Sequence, residues 1–292
     1  MIIDIRYHII TLVAVFLMLG LGILIGTTMV GNEAIVKKQE QLTDRLEKQL
    51  GGLRMENRRV QERYEQVEAE NRTLQLFARE IVPFAIANRL KDVAVAVVEV
   101  GGSASQELLG DLQTAGAKVE PVATIPGDLG GAVTGDKLRQ DLGWAEKNPE
   151  ELTARLAREL GAAIATGENP ALVDYLVREG LVEVTGSYNL PVGAVVIVRE
   201  AEEGSTRSLP FNLNLIDGFL SKGVRVAVVK EGPGGSGSIK EYQRRKISTI
   251  SNVETPWGRV ALILALAGQP GNYEADPKAK RLLPPYSVGG AK

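Results

Sequence analysis

Three hydrophobic patterns follow one another along the chain. Residues 9–30 are apolar or small and carry no charge. From Leu46, apolar residues recur at alternating spacings of four and three. Beyond Asp92, short β-branched runs alternate with amphipathic stretches. The first pattern predicts a helix of roughly 33 Å at ~1.5 Å per residue, enough for a hydrocarbon core of about 30 Å. An apolar surface on every side fits a membrane span and not a core helix. The run exceeds the ~7–15 residues of a signal-peptide core and no Ala-x-Ala cleavage site follows, so a retained anchor is predicted. Within it, Gly22 and Gly26 form a small-xxx-small pair where two membrane helices can approach closely.

The second pattern is a heptad repeat. Leu46, Leu53, Val60, Val67, Leu74 and Ile81 occupy d positions, and Leu50, Asn57, Tyr64, Asn71 and Ala78 occupy a positions. Glu33 to Val82 holds ten basic and ten acidic residues, and Gly51 and Gly52 fall at the outward b and c positions. Asn57 and Asn71 cost stability but pair with their own copies, which sets register and favours two parallel strands. Arg63 at g then faces Glu68 at e of the partner. The pattern predicts a parallel dimeric coiled-coil stalk over 31–82, with Leu46, Leu50, Leu53, Asn57, Val60, Tyr64, Val67, Asn71 and Leu74 in its seam. Pro83 is expected to end it.

The third pattern predicts a three-layer α/β (Rossmann-like) head over 90–268, with a mainly parallel sheet of about five strands. Strands are expected at 92–100, 119–125, 194–198, 224–229 and 247–250. Helices are expected at 103–115, 136–142, 149–166, 170–178, 213–221 and 257–267. An N-terminal tail (1–8) and a flexible C-terminal tail (269–292) that packs little complete the chain.

Composition narrows the chemistry. There is no cysteine, the single histidine is His8, and the last methionine is Met55, so the head offers no thiolate, imidazole or thioether ligand. A formal charge of −2 supplies no basic excess for a nucleic-acid partner. Gly101-Gly102-Ser103 follows the first strand and opens a helix, where dinucleotide folds place their phosphate loop, but the Gly-x-Gly-x-x-Gly fingerprint is incomplete. Gly234-Gly235-Ser236 lies in a second glycine-rich loop without the Gly-Lys-Ser/Thr ending of a P-loop. These six residues are the ligand-loop candidates. No cofactor, metal site or catalytic residue is expected, and the protein is read as a non-enzyme.

Asp4-Ile-Arg-Tyr-His-Ile-Ile-Thr-Leu-Val-Ala-Val-Phe16, Leu19-Gly-Leu-Gly-Ile-Leu-Ile-Gly26, Asn252-Val-Glu-Thr-Pro-Trp-Gly-Arg-Val-Ala-Leu262 and Arg281-Leu-Leu-Pro-Pro285 resemble the bacterial MctB family over essentially the whole chain. That resemblance implies copper transport, from mycobacterial members proposed to limit copper accumulation. It also implies, through the SteB-like branch, a role with a partner called SteA in cell separation and control of peptidoglycan hydrolases.

An anchor carrying a stalk and a head is a spacer that presents the head to partners; one span and no closed barrel make no pore. The expected protein is a single-pass cell-membrane homodimer acting as an envelope scaffold or regulator, with a SteA-like membrane protein or an envelope hydrolase as partner. Copper handling and a nucleotide- or small-ligand-binding head are the alternatives. The charges flanking the span, Arg6 against Lys37, Lys38, Arg45 and Lys48, do not orient it. The head is expected outside the cytoplasm, as a signal-anchor with a short tail permits.

Overall fold

The computed structural model describes residues 5–126, 135–146, 148–199, 209–230, 241–242, 244–245, 247–273 and 282–283, with 28–34 and 135–136 described as backbone only. The chain divides into two compact units, Met1–Thr73 and Leu74–Lys292. Helix α1 is assigned over Ile5–Ile86.

In the first unit, Ile5–Thr27 forms a 23-residue apolar stretch of mean hydropathy 2.8, none of it buried within the chain. Thr11 donates its hydroxyl to the carbonyls of Tyr7 and His8 at 3.0 and 2.9 Å, and Thr27 to that of Leu24 at 3.0 Å. Both threonine hydroxyls of the stretch thus bond to their own helix, as a hydrocarbon environment requires. The heptad residues downstream from Leu46 to Leu74 lie on the same helix and are all exposed.

The second unit is built on a seven-stranded sheet of order β3-β2-β1-β4-β5-β6-β7. The strands are β1 (Ala94–Val100), β2 (Lys118–Ile125), β3 (Glu183–Thr185), β4 (Ala194–Arg199), β5 (Arg225–Lys230), β6 (Ser248–Ser251) and β7 (Asn272–Tyr273). All neighbours pair in parallel except β3, which runs antiparallel to β2. The helices are α2 (Gln106–Thr114), α3 (Gly135–Leu142), α4 (Pro149–Thr166), α5 (Pro170–Arg178), α6 (Leu209–Ser221) and α7 (Pro256–Leu266).

Both faces of the sheet are covered, which is why its central strands read as continuous β-branched runs. Val95 and Val97 pack with Leu112, Leu262 and the end of α1, where Val82 and Ile86 are buried. Ala96, Val98 and Val100 face the other way, onto Leu156 and Leu160 of α4 and Phe219 of α6.

The α/β class and mostly parallel sheet follow the sequence expectation, with four differences. Two short edge strands, β3 and β7, bring the sheet to seven strands. Helix α6 starts at Leu209, four residues before Leu213. Helix α1 also continues through Pro83 to Ile86. Pro83 and Arg79 are both exposed, and Pro83 has no N–H to donate to the Arg79 carbonyl. Furthermore Tyr273, in the segment expected to pack little, is only 8% exposed, because β7 docks its ring against the α7 side of the core.

Candidate functional site

The strand order reverses at β1, whose chain successor β2 lies on one side while β4 pairs on the other. Open α/β sheets place ligands outside the carboxyl ends of strands at such a switch point. There β1 ends in Gly101, whose φ of +67° turns the chain away from the strand. The hydroxyl of Ser105 then caps α2 by accepting from the Leu108 N–H at 3.3 Å. The cap is therefore two residues beyond the expected helix start at Ser103, and Gly101, Gly102 and Ser103 belong to the turn.

The turn is held by Glu99, a residue 9% exposed near the end of β1. One carboxylate oxygen accepts the Ala104 N–H at 2.8 Å and the other the Thr124 hydroxyl at 2.7 Å. Both oxygens are engaged, so Glu99 fastens the turn to β2. Beside it opens a cleft of about 640 Å³ lined by Gly101, Gly102, Ser103, Thr124, Glu183 and Arg199. Arg199 ends β4 and stands 5.3 Å from the centroid of the Tyr242 ring, which lies in the core below. Asn212 is also buried here, beside the Tyr242 hydroxyl. Burial raises the Tyr242 pKa, and the nearby Arg199 charge opposes that shift.

The cleft thus combines a cation, a carboxylate and a backbone turn. Residues 74–292 contain no histidine or cysteine, so no imidazole or thiol from the head reaches it. The structure brings the first three ligand-loop candidates to the cleft, while Gly234, Gly235 and Ser236 lie outside the described residues. Sequence reasoning missed Glu99 and Arg199 because each is a single polar residue at the end of an apolar run. A charge terminating a buried strand was the available signal.

The motif from Asn252 to Leu262 is explained by packing. Thr255 caps α7 and accepts from the Gly258 N–H at 3.2 Å, and Pro256 occupies the first turn, where no N–H is needed. A Cβ on Gly258 would lie 2.3 Å from the Asn252 carbonyl oxygen, so only glycine fits. Arg259 reaches across to α2, where Asp111 and Glu107 bind it. These carboxylates, Asp111 first, raise the Arg259 pKa and keep the guanidinium charged despite its burial.

Along α1 the residues read as the stalk seam form an apolar line open to solvent. Leu46, Leu50, Leu53, Val60, Tyr64, Val67 and Leu74 are between 51% and 68% exposed. Asn57 and Asn71 lie on the same line and are also exposed. A Cβ on Gly22 or Gly26 would meet nothing within 4 Å, which leaves a smooth backbone surface on the apolar stretch.

An apolar N-terminal helix long enough to cross a bilayer, joined in one chain to a mostly parallel α/β domain, defines a membrane-anchored protein. A family model described as copper transport outer membrane protein, MctB, matches residues 2–284, and the chain belongs to that family. No curated protein matches the chain. The family description makes this a copper-transport-related envelope protein. The donor set of the head does not fit that soft ion: residues 74–292 lack histidine, cysteine and methionine. Among the described residues, no group of three or more histidine, cysteine or acidic side chains is placed to hold a metal.

Proposed function

We propose that the protein is a dimeric scaffold or regulator of the cell envelope, anchored by its N-terminal helix and presenting the α/β head to partner proteins outside the cytoplasm. The observation that carries this reading is the exposed heptad line on α1. Seven large apolar side chains at a and d positions stay more than half exposed in the single chain, and a parallel copy of the same helix is the partner whose holes fit such knobs. A stalk of this kind sets distance and pairing, and leaves chemistry to what the head binds. The SteB-like resemblance supplies the partner class: a SteA-like membrane protein or a peptidoglycan hydrolase.

Copper handling is the second reading, and the family description is what favours it. The ligand chemistry of the head weighs against direct binding there, so an effect on copper would act through the envelope and not through a site in the head.

The test is protease accessibility of the head in wall-stripped cells with an intact cytoplasmic membrane, followed by crosslinking and capture with the full-length protein as bait. Cleavage without lysis, together with recovery of an envelope protein, is the expected result. Protection until lysis would refute the extracytoplasmic placement. Loss of copper tolerance on deletion, with cell separation unaffected, would favour the second reading.

A further inference from the structure

The last turns of α1 carry two opposed faces. Val82 and Ile86 are 1% and 0% exposed in the core of the head, and Ala78 and Ala85 beside them are half-buried. Leu74, Phe77, Ile81 and Phe84 are 66%, 62%, 45% and 80% exposed. Spacings of three, four and three residues set these four on one line along the helix.

In the heptad register Leu74 and Ile81 remain d positions, but Phe77 and Phe84 are g positions. Within the run that starts at Leu46, the g residues before them are polar: Gln49, Glu56, Arg63 and Glu70. The a series changes in the opposite sense at the same place. Leu50, Asn57, Tyr64 and Asn71 give way to Ala78 and Ala85, which turn toward the head's own core. The apolar line therefore moves from a/d to d/g, roughly 60° around the helix. Leu74 belongs to both lines, and Asn88, the next d residue, ends the second.

We infer that a second copy of this chain covers this line. The seam between two parallel α1 helices passes from a/d to d/g at Leu74, and the two heads meet along Phe77, Ile81 and Phe84. The inference rests on the parallel-dimer reading of the stalk. It adds that the heads are held together and that phenylalanines replace the usual charged g residues for that purpose. In a two-fold parallel pair each residue of a seam faces its own copy, so one apolar line per chain closes on itself. Alanine at a leaves room for the helix to pack on its own head, which a larger residue there would obstruct.

Because the chain has no cysteine, single-cysteine variants of the full-length protein in native membranes report each position without background. A disulfide needs Cα atoms within about 4.4–6.8 Å, so it separates seam from rim. On mild oxidation, Leu53→Cys, Phe77→Cys and Phe84→Cys are expected to shift to a covalent dimer, while Ala78→Cys and Arg79→Cys stay monomeric on a non-reducing gel. The phenylalanines are exposed in the single chain, so their replacement does not disturb its core. Linkage by Leu53→Cys and Ala78→Cys but not by the phenylalanine variants would overturn the shifted seam and leave the stalk dimer standing. Linkage at Leu53→Cys alone would also overturn it and would leave this face to another partner. Absence of linkage at Leu53→Cys would remove the stalk dimer itself. Equal linkage at all positions, Arg79→Cys included, would mark random collision and overturn the inference.

Discussion

Replacing Arg259 with Met should destabilise the head more than removal of a surface charge would. Arg259 joins α7 to α2 across 148 residues of sequence, with its Nη2 2.5 Å from Asp111 Oδ1. The side chains of Arg259 and Asp111 are 11% and 9% exposed, whereas that of Glu107 is 57% exposed. Methionine keeps most of the aliphatic packing and removes the charge, so Asp111 is left as a buried carboxylate without its cation. Breaking a buried pair from one side costs about 3–5 kcal/mol. Asp111 retains some solvent contact, so the lower end applies, about 3 kcal/mol. For a domain of about 200 residues that corresponds to a fall in melting temperature of roughly 6–12 °C.

Glu107→Gln should cost no more than about 1 kcal/mol, since exposed pairs contribute little. Removing both buried partners, as Arg259→Met with Asp111→Leu, should recover most of the loss, because no charge then remains unpaired. Thermal melts of the full-length protein in detergent, followed by Trp144 and Trp257 fluorescence, provide the assay. A melting temperature for Arg259→Met within about 2 °C of wild type would refute the reasoning, and so would a double variant less stable than the single one.

Two further outcomes follow from the geometry. Gly258→Ala should cost about 1–3 kcal/mol, toward the upper end because the added methyl meets backbone and not a movable side chain; an unchanged melt would show that the motif glycine is not a packing requirement. The Glu146 carboxyl is held below the usual glutamate range by backbone hydrogen bonding and by Arg155, whose guanidinium lies 4.6 Å from the Trp144 ring centroid. A depressed carboxyl pKa means that this interaction is complete above the ordinary glutamate value and is lost as pH falls through the lower folded value. In a Trp257→Phe background, Trp144 emission should therefore titrate with a midpoint below the ordinary glutamate value of about 4.3, and a midpoint at or above that value would contradict the assignment.

The reach of sequence differed from element to element for physical reasons. Helix α4 was legible to the residue over Pro149–Thr166, because Asn148, Pro149 and Gly167 supply cap, first turn and left-handed stop within the local chain. The apolar span and the long helix that carries the heptad residues were legible because composition and periodicity are written directly in the residues. Strands β3 and β7 were not legible: three and two residues carry no readable period, and they exist only because a neighbouring strand offers unpaired backbone groups. The cleft was half legible. The glycine turn shows in sequence, but Arg199 and Glu183 reach it only through the strand order, which sets β4 beside β1 and β3 beside β2.

The switch of the apolar line to Phe77 and Phe84 likewise needed the tertiary structure. A register shows where apolar residues recur, but only the packed head shows that Val82 and Ile86 turn inward and leave the phenylalanines outside. Local patterns fix the elements because caps and periods act within a few residues. Which face of an element is free depends on contacts between residues far apart in the chain, and those form only when the sheet is assembled.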